Sequence, residues 1–225
     1  MTLSAVRSFS CLFVLGTIVL VLVTLVGEGV AGDGGVAGDA DAGAGLAAMC
    51  SGCHGSDGVS FNPSWPSLAG QVPAQTLKQL QDYKNGTRTD PMMNGAVMAL
   101  DDQGMADLAV YYGSMRAPPL PAPGPMDLGE DIYRWGREER GVVACGGCHG
   151  RTGAGFPSGI PGGIPSVAGQ NVAYNVKTML DYGSGTRAND WNGVMQEIAK
   201  KLSEEEIQAV SEYMSTLDMS SSRVK

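Results

Sequence analysis

Two pentapeptides carry the side chains most able to do chemistry: Cys50-Ser51-Gly52-Cys53-His54 and Cys145-Gly146-Gly147-Cys148-His149. Each sets two thiols three positions apart and an imidazole directly after the second. A C-x-x-C pair can act as a redox dithiol or as half of a zinc site. C-x-x-C-H is also the attachment signature of c-type haem. In that chemistry the two sulfurs add to the porphyrin vinyl groups as thioethers, and the adjacent histidine becomes the proximal iron ligand. The chain has five cysteines and two histidines. Four of those cysteines and both histidines lie in the two pentapeptides. A redox dithiol would sit in a βαβ pattern, and none is visible. A shared four-cysteine zinc site leaves both histidines unexplained, along with the sequence repeated after each. The reading is therefore two covalently bound haem c groups, held through Cys50 and Cys53, and through Cys145 and Cys148.

His54 and His149 then supply the fifth iron ligands. No third histidine exists, and no spare cysteine lies outside the N-terminal apolar segment, so twelve methionines remain for the sixth position. Met93 and Met195 occupy matching places, each seven residues before a leucine that precedes the last helix of its half. They follow their histidines by 39 and 46 residues, enough chain to pass a haem edge. Met92 is the competitor in the first half, but its counterpart Val194 cannot ligate. Met98 corresponds to Lys200 and reads as packing. A ligand histidine needs an orienting hydrogen bond on its other nitrogen. The carbonyls of Pro66 and Pro165 are the candidate acceptors. Arg88 and Arg187 are candidates for pairing with haem propionates. Trp65, Tyr83 and Tyr182 read as groups packed on porphyrin.

The elements that must position these residues also repeat. Pro66-Ser67-Leu68-Ala69-Gly70-Gln71 returns as Pro165-Ser166-Val167-Ala168-Gly169-Gln170, and Gly86-Thr87-Arg88 as Gly185-Thr186-Arg187. In each half the spacing predicts a helix bearing the cysteines, then a Gly/Pro-rich loop and an amphipathic helix (from Ala74 to Tyr83, and from Val172 to Tyr182). A methionine-bearing loop follows (from Thr89 to Leu100 in the first half), and then a last helix capped by Asp101 or Ser203. A charged helix from Leu128 to Glu139 leads into Cys145. Five prolines between Arg116 and Pro125 mark a semi-rigid, extended linker. The expected fold is all-α: domain one over 46–115, linker over 116–126, domain two over 127–219. Residues 32–45, rich in Gly, Ala and Asp, read as a flexible lead.

An apolar run from Leu12 to Val26 follows Arg7, so residues 1–31 read as a signal peptide or a membrane anchor. Either delivers the rest of the chain to the periplasmic side. Net charge is -8. That argues against nucleic acid and suits partners with basic docking surfaces.

With these motifs the chain resembles the dihaem cytochrome c4 family, a tandem of class I cytochrome c domains, over about residues 37–217. The resemblance implies His/Met ligation of both irons. It also implies periplasmic electron transfer from a bc1-type complex towards a terminal oxidase. The chain departs from the family in its glycine-rich lead, its Pro-rich linker and its charged stretch before Cys145. Rival readings are a dihaem oxidoreductase of peroxidase or thiosulfate dehydrogenase type with one labile methionine, and a haem subunit fixed within an oxidase complex.

Overall fold

Glycine at a helix crossing sets how each half is built. In the computed structural model, which describes residues 35–219, helix α1 (Ala40–Leu46) crosses helix α5 (Asp102–Ser114) at Gly43. A Cβ on Gly43 would lie 2.3 Å from the Asp107 carbonyl oxygen. The second half repeats the device. Helix α6 (Asp127–Trp135) crosses helix α10 (Glu204–Thr216) at Gly129, where a Cβ would lie 2.1 Å from the Ala209 oxygen. Only glycine allows backbones to approach so closely.

The expectation of a flexible lead over 32–45 is therefore corrected for its described part, residues 35–45. Asp39 caps α1 by accepting from Asp41 N and Ala42 N, and its own N–H donates to Asp107 Oδ1 at 2.7 Å. Val36 is buried beside Ala106 and Ala109. Low hydrophobicity here reflects a tight crossing rather than disorder. The segment read as signal peptide or anchor, 1–31, lies outside the described residues. No helix among the described residues is long and apolar enough to cross a membrane.

Helix α2 (Ala48–His54) carries the first motif. Helix α3 (Pro73–Asn85) begins with proline at its first turn, where no N–H is needed, and ends at Gly86 in the left-handed region. Helix α4 (Pro91–Val97) follows, and α5 closes the half against α3. Helices α6, α7 (Cys145–His149), α8 (Val172–Ser184), α9 (Val194–Ala199) and α10 retrace this order. Among the described residues there are no strands, only two isolated bridges. Two expectations change in detail. The charged helix ends at Trp135, since Gly136 takes φ 75 and the chain turns back through an Arg137–Val142 bridge. Both methionine-bearing segments are short helices instead of loops.

Each half has its own core. Val97, Leu100, Met105, Leu108 and Tyr112 fill the first, and Ile132, Tyr133, Val142, Val210 and Met214 the second. Burying a side chain such as Leu108 or Ile132 is worth about 1.5–3 kcal/mol. A third cluster, Ala69, Ala117, Ala168 and Met219, joins the halves. The Pro-rich linker packs along this seam, and Leu120 N donates to Ser215 O at 2.8 Å. In the second half Glu206 closes a capping box with Ser203 and ion-pairs with Arg137 and Arg140. Arg140 chiefly holds its carboxyl down at about 2.

Gly129→Val tests the crossing. The added atoms must push α6 off α10, at a cost of about 1–3 kcal/mol. Thermal melting followed by circular dichroism should show a lower Tm, and an unchanged Tm would contradict the close approach.

Candidate functional site

His54 ends α2 and is buried, and its Nδ1 lies 2.8 Å from the Pro66 carbonyl oxygen. His149 ends α7 and is also buried, with Nδ1 2.9 Å from the Pro165 oxygen. A carbonyl can only accept, so Nδ1 carries the proton in both rings. That leaves Nε2 as a bare lone pair. Burial lowers both imidazolium pKa values, against the opposing pull of the proline carbonyls. Both rings are therefore neutral at neutral pH and fit to bind a metal. Both proline acceptors expected from the sequence make the contact.

Cys50 and Cys145 lack the lowered thiol that a redox dithiol needs. None of Cys50, Cys53, Cys145 and Cys148 forms a disulfide. Burial pushes the Cys50 thiol up, and Cys145 up to about 11. A redox dithiol needs its nucleophilic thiol lowered. The shared zinc site also fails: among the described residues no three His, Cys, Asp or Glu side chains are grouped to hold a metal ion.

One cavity of about 670 Å³ runs through both halves. Its wall includes both cysteine pairs, His54, His149, Met93 and Met195. Met93 sits in α4, half-buried against the first core, whereas neighbouring Met92 is 60% exposed. Met195 sits in α9 against the second core. Met98, expected as packing, is instead 66% exposed.

What holds the methionine helices was missed in the sequence. Asp90 Oδ1 accepts from Met92 N at 3.0 Å and Met93 N at 3.1 Å. Asp190 Oδ2 accepts from Met195 N at 2.8 Å and Gln196 N at 3.2 Å. Asn94 ties α4 back to the carbonyl oxygens of Tyr83 and Arg88. For α4 the signal was an aspartate just before a proline, an ordinary N-cap pattern. Asp190 reaches α9 from four residues before its first residue, past Gly193 at the N-cap, so no cap spacing announced it.

Arg88 and Arg187 come together at the seam between the halves. Each guanidinium stacks on a tyrosine, Tyr83 or Tyr182, at 4.6 Å from the ring centroid. Both donate to one oxygen, Gln79 Oε1, at 2.8 and 3.0 Å. Arg88 also donates to the Tyr174 hydroxyl at 3.2 Å. No carboxylate among the described residues pairs with either arginine. Burial raises the Tyr174 phenol, but the two arginines outweigh it and bring it down to about 7. The seam thus holds two guanidinium groups that, among the described residues, make no direct ion pair with a carboxylate. Two haem groups, each bringing carboxylates, fit it. Trp65 lines the cavity edge-to-face with Phe61 at 6.3 Å, while Tyr83 and Tyr182 line it from beneath the arginines.

Comparison with known proteins agrees with this construction. The cytochrome c family model matches residues 40–115. The model for subunit III of cbb3-type cytochrome c oxidase matches residues 127–214. A cytochrome c4 from Pseudomonas aeruginosa is 41% identical over 202 residues, covering 89% of this chain and 98% of that one. The chain belongs to the cytochrome c4 family. The crystal structure of reduced recombinant cytochrome c4 from Pseudomonas stutzeri superposes with a TM-score of 0.75 at 38% identity. It covers 80% of this chain and all of that one. A thiosulfate dehydrogenase electron acceptor from Stutzerimonas stutzeri is 35% identical over 78% of this chain and 82% of its own. Like its cytochrome c4 relatives, the chain is a dihaem electron carrier with two covalently bound haem c groups.

Asp90→Ala removes the cap that presents Met93. The cost to the helix is about 1 kcal/mol. With Met93 as one of two iron-ligating methionines, the methionine–iron charge-transfer band of the oxidised protein should lose up to half its intensity, one site of two. Full retention of the band would show that Asp90 does not hold the ligand.

Proposed function

We propose that His54 and Met93 ligate one iron and His149 and Met195 the other, with Cys50, Cys53, Cys145 and Cys148 forming the thioethers. One observation carries this reading. Each half presents to the same cavity one carbonyl-bound histidine and one methionine on an aspartate-anchored helix. Pro66 and Pro165 fix the histidine tautomer, and Arg88 and Arg187 pair with propionates. Haem held there would supply a one-electron couple, and a methionine ligand would raise its potential. The chain's own residues keep both sites closed. Both histidines are spent as proximal ligands, so none is left for distal acid–base work. This disfavours the dihaem enzyme reading.

The carrier works in the periplasm, soluble or held by its N-terminal segment. It takes electrons from a bc1-type complex and passes them to a terminal oxidase, through partners with basic docking surfaces. A second donor deserves a place, because a relative of similar length is named a thiosulfate dehydrogenase electron acceptor. Thiosulfate dehydrogenase is then an upstream donor, with this chain as its acceptor. The net charge of -8 makes electrostatics the guide for docking. Bimolecular reduction by the cognate donor, followed by stopped flow, should slow severalfold between about 0.01 and 0.15 M ionic strength, as the screening length falls from about 30 to 8 Å. A rate indifferent to salt would count against charge-guided docking.

A further inference from the structure

The two halves are joined by a reciprocal pair of hydrogen bonds placed beside the histidine-orienting carbonyls. Gln170 Oε1 accepts from Ser67 N at 2.8 Å, and Gln170 Nε2 donates to Ser67 O at 2.9 Å. Gln71 does the same in the other direction, accepting from Ser166 N at 2.8 Å and donating to Ser166 O at 3.0 Å. Both serines are buried, as is Gln170. Each glutamine oxygen also accepts from the next backbone N–H, Asn171 N or Val72 N, at 2.9 Å. This second bond fixes the amide at the start of α8 or α3.

The Ser67 N–H and the Pro66 carbonyl belong to one peptide group. His54 Nδ1–H donates to its oxygen, and Gln170, from the opposite half, accepts from its nitrogen. The Ser166–Pro165 peptide is held likewise between His149 and Gln71. Hydrogen bonds in series polarise one another. An acceptor on the amide N–H makes the carbonyl oxygen more basic. A more basic acceptor draws on Nδ1–H and makes the imidazole a stronger donor to its metal.

We propose that Gln170 and Gln71 are crossed positioning residues: each sets, through one peptide group, the electron-donating strength of the proximal histidine in the other half. Gln170 acts on His54 and Gln71 on His149. Hydrogen bonding around the ligands is one of the protein's levers on haem potential. Each haem is therefore tuned by the domain that does not hold it, and loosening the seam changes both. The inference rests on His54 and His149 being iron ligands.

The test uses the holoprotein with nitrogen-15-labelled histidine, whose two histidines give two sets of ring signals. In the native reduced form, both rings should show a proton at Nδ1 and none at Nε2. A proton on Nε2 would sink the ligand reading itself, separately from the crossed coupling. Gln170→Met removes the acceptor while keeping side-chain length. The His54 Nδ1–H resonance should then move to lower shift, and the haem at His54 should become easier to reduce, with His149 and its haem unmoved. Gln71→Met should give the mirror result. Gln170→Glu offers a stronger acceptor at the same place and should move the His54 resonance the opposite way. That variant also carries the test if the methionine variants do not mature with haem. Equal shifts at both haems, a shift only within the substituted half, or no shift would overturn the crossed assignment and leave the glutamines as a seam.

Discussion

The structure depends on a hydrogen bond between a ring nitrogen and a proline carbonyl, made once in each half. It decides which nitrogen of His54 and His149 carries the proton, and so which one is free to bind iron. It requires the loop after each motif to fold back over the cavity and reach its own histidine. Glycines at the turns make that return possible: Gly58 and Gly153 take φ 73 and 70, where other residues are strained. Their carbonyls in turn accept the N–H groups of Leu68 and Ala69, and of Val167 and Ala168. The cysteines, the histidine and its acceptor are thus one local unit, and the helices set that unit and a methionine around the same cavity.

Polarity at the seam follows from the same demand. Two stacked arginines share one glutamine oxygen and, among the described residues, pair with no carboxylate, an arrangement that burial would penalise without an anion. The proposed pairing of Arg88 and Arg187 with haem carboxylates would resolve that imbalance and tie the prosthetic group to the domain interface. The cavity crosses the seam, and Arg88 and Arg187 line it from the two halves.

The haem chemistry was legible in the sequence because its determinants are local. C-x-x-C-H and a proline 12 residues after His54 are both spacings along one chain. The repeat itself implied two similar all-helical halves. Glycine hid α1, since Gly38 and Gly43 read as flexibility but serve close contact with α5. Short helices hid α4 and α9, where seven or six residues give too little hydrophobic period to recognise. Gln71 and Gln170 stood in plain view at the ends of the repeated hexapeptides. Their partners lie 95 and 103 residues away across the seam, a relation no local pattern encodes.

The central claim is that both irons are closed by methionine opposite histidine. It is tested most directly by the absorption spectrum of the reduced, purified protein with and without carbon monoxide, with haem content from the same sample. Two haems per chain and no spectral change on adding carbon monoxide are expected. A change from one or both haems would mean an open or labile sixth position, contradicting the closed-site account and turning attention to catalysis at that iron.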